Sequence, residues 1–580
     1  MFKNIREHIM PVGVIVCCFA VYLLLSHSSW QEPLMGDHIE LMLSAKGYTE
    51  PSTMAYFLNL GERDFGLSHP PLYTHLMSGL GKFFGLNRIT VRAIGIAAFL
   101  LTLILIYLLA LELFEKTDKK KHIALTACIL YSINPFVIRG SLLIDQDGSL
   151  LNMVLVLLIY FLALDIYKRN ILKRNLLYGL LFALALWIKF VTPMLLIVSI
   201  IIYCLLRKDF SRVVQVIKFA VVGLFLFSAS WYLYCVVNQR GFFDLFYRYF
   251  LIAAEIISGR DRGINFAALA RNIWAPSMWY SPSLMLLAFI AIRKIFKEKN
   301  VCSSIMCVRQ FAFFGALVFI FYLFIGGVSH SFPKYHCAML PVFTILIAAL
   351  MMKELVLNKI LLIKLTIVTG VLIVCYMYFV GDPLHLINYA LKEDIILNGG
   401  IHAKQILIQE LIACAILFIT VPIAYVVFKR LTSKAFILAL LVTGIAFNIS
   451  LGAVQCRADY NTVYCYGAQK VTEAAEYIRA HSESTDQILA PMEFVWLTNE
   501  NLFSYRISRF SKYWGNKEKF LLLLKENDIE IVTYGICANT IDQYRSVFTT
   551  KEVAAFLDDN YSLSQIGPYS IWKKITPVSN

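Results

Sequence analysis

Long apolar runs, separated by short segments rich in lysine and arginine, constrain this chain more than any other feature. The 580 residues are 59% hydrophobic and 16% charged, whereas soluble domains average about 25% charged. Apolar runs of this length and number are typical of helices that cross a bilayer. We count thirteen candidate spans, at 12–25, 93–111, 123–136, 150–164, 176–188, 191–206, 219–237, 284–295, 311–325, 338–352, 360–380, 406–428 and 435–451. The sequence therefore predicts an α-helical polytopic membrane protein with about 13 transmembrane helices.

Positive charge alternates between the loops of this arrangement. With thirteen spans, one side of the membrane holds Lys3, Arg6, Lys116, Lys119, Lys120, Lys121, Lys168, Arg169, Lys173, Arg174, Arg207, Lys208, Arg212, Arg293, Lys294, Lys297, Lys299, Lys353, Lys359, Lys429, Arg430 and Lys434. Loops rich in lysine and arginine face the cytoplasm. We therefore expect a multi-pass protein of the cytoplasmic (inner) membrane, with a cytoplasmic N-terminus and an extracytoplasmic C-terminus. These loops also account for the net charge of +15 without a nucleic-acid partner.

The composition changes at about residue 455, where the apolar runs end. Helical periodicity at 471–480 and 517–526 alternates with apolar strand patterns at 487–490 and 529–534. Alternating strands and helices are typical of an α/β domain. We therefore divide the chain into a transmembrane domain, 1–454, with a first extracytoplasmic loop at 28–92, and a small extracytoplasmic α/β domain, 455–580. Whether Cys456 and Cys465 form a disulfide stays open.

The first extracytoplasmic loop carries the most unusual polar residues of the chain. Asp37 and Glu40 closely follow the first apolar run, and a His-Pro-Pro-Leu-Tyr motif places His69 and Tyr73 further along the loop. A carboxylate at the boundary between lipid and water is costly, and such residues commonly serve a function. The alternative is that Asp37 caps a surface helix.

Further acidic residues precede the fourth span. Asp145 and Asp147 lie directly before the apolar run 150–164. One of them fits the role of a helix cap. The pair, with an oxygen from Asp37, also offers ligands to a divalent cation. We prefer the interpretation without a metal.

Basic residues lie on the same predicted side of the membrane as these acids. Lys189 interrupts an apolar stretch, Lys334 and Tyr335 precede the span at 338–352, and Arg260 and Arg262 lie in the loop 238–283. Taken singly, each basic side chain fits a snorkelling residue that reaches lipid phosphate. Acids and bases together on one membrane face indicate a site for an anionic lipid substrate beside a general base.

The motifs, in their order along the chain, resemble those of the polyprenyl-phosphate-sugar-dependent glycosyltransferases of the GT-C superfamily, in particular the protein O-mannosyltransferase-like and lipid A aminoarabinose transferase-like families. The residues that carry the resemblance are Gly36 to Glu40, His69 to Tyr73, Asp147 with Leu150, Lys189, and Lys334 and Tyr335 with Pro341. His38 departs from the family, which has Asp-Glu at this point. The resemblance covers nearly the whole chain and implies the GT-C fold.

The resemblance also implies a reaction and roles for its residues. A sugar would move from a polyprenyl-phosphate donor to a lipid, glycan or protein acceptor on the extracytoplasmic face, with membrane lipids around the site. No cofactor is implied with certainty, and a divalent cation stays possible. The implied roles are catalysis for Asp37 and Asp147, binding of the donor or its phosphate for His69, Tyr73, Lys189, Arg260, Arg262, Lys334 and Tyr335, and a secondary catalytic candidacy for Glu40 and Asp145.

A membrane transporter or lipid flippase is the alternative that we keep. It also accounts for charged residues at the membrane boundary. It predicts inverted repeats and charges near the bilayer midplane. We find no internal repeat in the sequence, and the charges cluster at one predicted interface, so the transferase is the preferred interpretation.

Overall fold

The structure is a computed structural model. It describes residues 2–31, 41–45 apart from 43, 70–164, 171–246 with gaps, 266–298, 303–325, 333–354, 437–448 with gaps, and several stretches between 471 and 575. The helices before residue 355 are α1 (Phe2–Ser26), α2 (Leu72–Phe84), α3 (Arg88–Leu113), α4 (Lys120–Ser132), α5 (Pro135–Leu142), α6 (Leu150–Leu164), α7 (Ile171–Ile188), α8 (Val191–Leu206), α9 (Phe210–Val237), α10 (Phe266–Tyr280), α11 (Pro282–Lys297), α12 (Ser303–Ile325) and α13 (Leu340–Glu354).

The predicted membrane-spanning character is confirmed. Among the described residues, the helices long and apolar enough to cross a bilayer are Arg88–Leu113, Ile171–Ile188, Phe210–Val237, Ile305–Phe324 and Lys334–Glu354. Shorter apolar helices occur at Pro11–Ser26, Leu150–Leu164 and Val191–Leu206. The predicted spans 360–380 and 406–428 lie outside the described residues, and 435–451 is described only in part.

The predicted span 123–136 is not one helix. The chain bends by 63° between α4 and α5. Asn134 ends the first helical run because a residue before proline is disfavoured in the α conformation. Its side chain then accepts a hydrogen bond from the backbone N–H of Phe136 at 2.9 Å, which caps α5. The apolar sequence continues across the break, so hydropathy alone did not reveal it.

Among the described residues, α2 and α10 are helices that lie in predicted loops. Within the loop 28–92, α2 buries Tyr73 and Met77 and exposes Phe83 and Phe84. Within the loop 238–283, α10 carries the fully buried Trp279 and Tyr280. Both are too short or too mixed in polarity to have been counted as spans, yet both pack against the helical core.

The bend between α4 and α5 brings backbone segments into direct contact. A Cβ atom on Gly95 of α3 would lie 1.8 Å from the carbonyl oxygen of Ser141, and one on Gly148 would lie 1.8 Å from that of Gly140. Tyr22 of α1 fixes the same region through a 2.8 Å hydrogen bond between its hydroxyl and that of Ser141. The turn between α5 and α6, which carries Asp145 and Asp147, is therefore held on several sides.

The C-terminal part contains the predicted α/β region. Its helices are α14 (Val471–His481), α15 (Lys517–Glu526) and α16 (Lys551–Asn560), and its strands are β1 (Gln487–Ala490), β2 (Leu502–Ser504), β3 (Ile529–Gly535), β4 (Tyr561–Ile566) and β5 (Tyr569–Lys574). The sheet order is β2-β1-β3-β5-β4. The strand β1 is parallel to β2 and β3, and β5 is antiparallel to β3 and β4. Separate apolar clusters, one including Phe520 and Leu557 and the other Ala474 and Ile571, form its core.

The loops that were predicted to be cytoplasmic meet one another. Lys119, before α4, donates a hydrogen bond to the carbonyl oxygen of Met352 at 2.8 Å. Lys294 of α11 pairs with Glu354 at 2.8 Å, and Lys353 pairs with Glu298 at 3.0 Å. These contacts join the ends of α11 and α13 to the start of α4, as the predicted alternation requires.

Candidate active site

Four of the predicted site residues form two ion pairs. Lys189 binds Asp147, and the Lys334 ammonium lies 2.5 Å from Asp145 Oδ2. All four side chains are at most 10% exposed. The acids lie in the turn between α5 and α6, Lys189 directly follows α7, and Lys334 begins the short 3-10 helix Lys334–Met339 before α13. Residues that are far apart in sequence thus converge at one end of the bundle.

The two acids have different local surroundings. Asp145 accepts a 3.2 Å hydrogen bond from the backbone N–H of Asp147, which shapes the turn. Asp147 uses Oδ2 for Lys189, while its buried Oδ1 has no hydrogen-bond partner among the described residues. In that part of the chain Asp147 therefore makes no cap contact with α6, and the helix-cap alternative does not account for its position.

The ring of Tyr335 lies near both lysines. The Lys189 ammonium is 4.1 Å from the centre of its ring, and the Lys334 ammonium is 5.6 Å away. Both distances fall within the range in which an aromatic face attracts a cation. The ring is half-buried, so these contacts operate in surroundings from which water is partly excluded.

Tyr73 lies close enough to Asp145 to be affected by its charge. It is 1% exposed, and burial raises the pKa of its hydroxyl, which the charge of Asp145 raises further. A tyrosine with a raised pKa is neutral at physiological pH and keeps its proton for donation. The Tyr73 part of the predicted motif therefore reaches the site.

The remaining predicted site residues, Asp37, Glu40, His69, Arg260 and Arg262, lie outside the described residues. Their roles stay predictions.

The structure gives a partial answer on metal binding. In the described part of the chain, no group of three histidine, cysteine, aspartate or glutamate side chains is arranged to hold a metal ion. Asp145 and Asp147 are each bound to a lysine instead. The predicted alternative also needs Asp37, which lies outside the described ranges, so no step of a mechanism is assigned to a metal.

Two buried arginines near the site were not singled out from the sequence. Arg139 of α5 donates to the Ser29 hydroxyl at 3.1 Å, and Arg92 of α3 donates to the Trp30 carbonyl oxygen at 2.7 Å. Both are 3% exposed. They hold the 3-10 helix His27–Gln31, from which the loop that carries Asp37 starts. Their positions next to apolar runs, on the same predicted side as Asp145, were the signal that could have found them.

Comparisons with known proteins agree with this picture. Residues 68–233 match the model of the dolichyl-phosphate-mannose-protein mannosyltransferase family. The matched segment contains Tyr73, Asp145, Asp147 and Lys189. No curated protein matches the chain.

Among solved structures, the chain is similar to ArnT from Cupriavidus metallidurans. The ArnT crystal structure with bound undecaprenyl phosphate is 12% identical, with a TM-score of 0.61 over 98% of both chains. The apo structure of the same protein is also 12% identical, with a TM-score of 0.57 over 97% of this chain and 98% of that one. Similarity at this level of identity establishes the fold, and the predicted GT-C fold is confirmed. The family match, which covers residues 68–233, agrees with the predicted glycosyltransferase activity.

Proposed function

We propose that the chain transfers a sugar from a polyprenyl-phosphate donor to a lipid, glycan or protein acceptor at the extracytoplasmic face of the membrane. The observation that carries this proposal is the pair of buried lysines, Lys189 and Lys334, which both lie near the ring of Tyr335. The resemblance to ArnT over nearly the whole chain, in a structure with bound undecaprenyl phosphate, supports the same donor class.

The lysines are suited to stabilise the leaving phosphate. When the bond between the anomeric carbon and the phosphate oxygen breaks, negative charge develops on that oxygen, and cations fixed nearby lower the barrier. A lysine ammonium has three donors. Lys189 and Lys334 can therefore keep their carboxylate partners and still donate to a phosphate.

The acceptor hydroxyl needs a base. In the proposed reaction its oxygen attacks the anomeric carbon with inversion, its proton passes to Asp37, and polyprenyl monophosphate leaves. Asp147 has one oxygen that is not engaged by Lys189, which suits it to orient the acceptor or to support Asp37. His69, Tyr335 and one of Arg260 and Arg262 are proposed to complete the contacts with the phosphate or the sugar.

The proposed orientation places the N-terminus in the cytoplasm and residues 455–580 outside, in the cytoplasmic (inner) membrane. The lysine contacts that join Lys119, Lys294 and Lys353 to neighbouring helix ends support it. The acid turn and Lys189 then lie on the other side. The α/β region would form its own extracytoplasmic domain.

Transfer itself is the test. Purified protein is incubated with a polyprenyl phosphate that carries a radiolabelled sugar, together with a membrane extract, and the lipid, glycan and protein fractions are counted. We expect label to leave the carrier and to appear in one fraction, which identifies the acceptor class. Label that stays on the carrier but crosses between the leaflets of a proteoliposome would instead support the flippase alternative.

A further inference from the structure

A second tyrosine lies behind the ring that contacts the lysines. Tyr322, in α12, stacks on Tyr335 with ring centres 5.3 Å apart and planes inclined by 18°. It is 3% exposed. Its link to Lys189 passes through the ring of Tyr335.

The hydroxyl of Tyr322 contacts α8, the helix that begins two residues after Lys189. It forms a 2.8 Å hydrogen bond with the hydroxyl of Thr192, in which either group donates. Thr192 follows Lys189 by three residues and lies in the first turn of α8. A chain of three contacts therefore starts and ends within three residues of sequence. Lys189 contacts Tyr335, Tyr335 stacks on Tyr322, and Tyr322 bonds to Thr192.

We propose that Tyr322 is a positioning residue for the donor phosphate, which acts through Tyr335 on Lys189. This inference rests on the proposed function. A lysine side chain has several rotatable bonds, and fixing it before the substrate binds lowers the cost of binding. The face of Tyr335 attracts the ammonium only while the ring keeps its orientation. Tyr322 fixes that orientation by stacking, and Thr192 fixes Tyr322.

The surroundings of Tyr322 separate this role from general packing. Its ring also lies 5.9 Å from the ring of His336, which in turn contacts Phe319 at 5.8 Å. The ring of Tyr322 is thus held by contacts with two other rings, Tyr335 and His336, and by the hydrogen bond of its hydroxyl. A position that only fills space would lose stability when the ring is replaced by a smaller apolar side chain, without a specific loss of phosphate binding. A positioning role requires an aromatic ring.

The test compares two substitutions at residue 322. Tyr322→Phe keeps the stacked ring and loses the bond to Thr192, whereas Tyr322→Leu loses both. We expect Tyr322→Leu to weaken the binding of undecaprenyl phosphate by about tenfold, as expected from the loss of one ordered cation–ring contact, and Tyr322→Phe to weaken it by about twofold. The measured quantities are the Kd of purified protein for undecaprenyl phosphate in detergent and the KM and kcat for transfer.

A matched control replaces a buried tyrosine of α8 that lies far from Thr192. Tyr203 is 6% exposed and lies eleven residues after Thr192, about 16 Å away along the helix axis. Tyr203→Leu should leave the Kd for undecaprenyl phosphate unchanged, even if it lowers the melting temperature. An equal rise in Kd in Tyr203→Leu and Tyr322→Leu would assign the effect to general loosening of the bundle and overturn the proposal.

A double-mutant cycle tests the route of the effect. The background is the neutral pair Asp147→Asn with Lys189→Gln, which removes the lysine charge without leaving a buried carboxylate alone. If Tyr322 acts through Lys189, Tyr322→Leu adds no further loss of binding in this background. The same fold-loss in both backgrounds would overturn the proposal. Wild-type protein that binds undecaprenyl phosphate but transfers no sugar would contradict the proposed function alone, and wild-type protein that does not bind it would contradict both.

Discussion

At the scale of single residues, the two buried ion pairs are the most informative feature. Taking two charges out of water costs several kcal/mol per ion, and their mutual attraction repays this cost only in favourable geometry. Apolar residues of similar volume often give equal or higher stability at such positions. Asp147 with Lys189 and Asp145 with Lys334 are therefore better explained by their use in chemistry than by their contribution to the free energy of unfolding.

Neutralising one pair as a unit separates these two explanations. The double variant Asp147→Asn with Lys189→Gln keeps side chains of similar size and a hydrogen bond between them. We expect near-normal amounts of folded protein and a loss of transfer of at least a hundredfold, because one of the two cations proposed to stabilise the leaving phosphate is gone. Folded yield by size-exclusion chromatography and transfer rates measure the two effects. A double variant with normal transfer would make the pair structural.

The more exposed pair of Lys353 and Glu298 provides the matched control. Lys353→Gln with Glu298→Gln removes a lysine and a carboxylate whose ammonium and oxygen lie 3.0 Å apart, at the other end of the bundle. Pairs of this exposed kind contribute about 0–1 kcal/mol. We expect this variant to transfer sugar at the normal rate.

Asp37 carries the residue-scale prediction about proton transfer. A general base contributes about a hundred- to ten-thousandfold in rate, whereas a helix cap contributes about 1 kcal/mol of stability. Asparagine keeps the size of aspartate and remains a good cap, but it cannot take the proton. Asp37→Asn should therefore leave binding of undecaprenyl phosphate and the folded yield near normal and lower kcat by at least a hundredfold. Normal kcat in this variant would leave Glu40, Asp145 and Asp147 as candidates for the base.

The sequence allowed the members of the described site to be predicted, but not their partners. Asp145, Asp147, Lys189 and Lys334 are visible as charges at the ends of apolar runs. Asp147 and Lys189 are separated by 42 positions in the sequence, and Asp145 and Lys334 by 189 positions. Which acid pairs with which lysine therefore depends on how the helices pack. The sequence also did not identify Tyr322 as a candidate site residue, because its role depends on its neighbours in the folded chain. An aromatic residue within an apolar run looks like any other core residue until its neighbours are known.

At the scale of elements, the turn between α5 and α6 positions both acids. The chain packs so closely around it that only glycine fits at two points. A Cβ on Gly95 of α3 would overlap the carbonyl oxygen of Ser141 in α5, and one on Gly148 of the turn would overlap that of Gly140. Backbone atoms cannot swing aside as a side chain can. Any added atom must therefore move the turn, and with it Asp147, which directly precedes Gly148.

Gly148→Ala tests this element. We expect a loss of roughly 1–3 kcal/mol of stability from overpacking, seen as a lower melting temperature in detergent, and a larger loss of transfer because Asp147 is displaced from Lys189. The control is Gly79→Ala in α2, where a Cβ meets nothing within 4 Å. Alanine is favoured over glycine within a helix by about 1 kcal/mol, so this control should melt at the same temperature or slightly higher. A Gly148→Ala protein as stable and active as the control would contradict the close packing.

The break between α4 and α5 shows where prediction from hydropathy ends. Apolar residues continue through Asn134 and Pro135, and a hydropathy window averages over them. The same Asn-Pro sequence indicates a helix boundary when it is considered for its backbone preferences. The helices α2 and α10 were not predicted because polar residues interrupt their apolar faces.

At the scale of the whole molecule, the count of apolar runs and the alternation of positive charge were enough to predict the fold class. The C-terminal α/β region was also predictable, since α14, β1, α15 and β3 each have a clear period in the sequence. The order of its five strands was not, because β2 and β4 are short or polar and their neighbours are set by packing across the sheet.

Reporter fusions test the proposed orientation of the whole chain. A cytoplasm-active reporter at Lys119 and an export-dependent reporter after Asn580 should both be active, because Lys119 lies in a predicted cytoplasmic loop and the C-terminus follows thirteen predicted spans. The exchanged pair of reporters should be inactive at both positions. Two cytoplasmic results would mean that the number of spans is even, and the α/β region would then lie on the wrong side to face the site.

The most direct measurement of the central claim is the binding of a polyprenyl monophosphate, compared with the binding of the same polyprenol without its phosphate. The claim is that Lys189 and Lys334 recognise the donor through its phosphate. A ligand that binds the folded state raises its stability in proportion to the logarithm of its concentration over Kd. The account predicts that undecaprenyl phosphate raises the melting temperature of the wild-type protein, whereas undecaprenol does not, and that the neutral variant Asp147→Asn with Lys189→Gln loses most of the difference. Equal stabilisation by both lipids, or the same difference in the wild-type and neutral proteins, would contradict it.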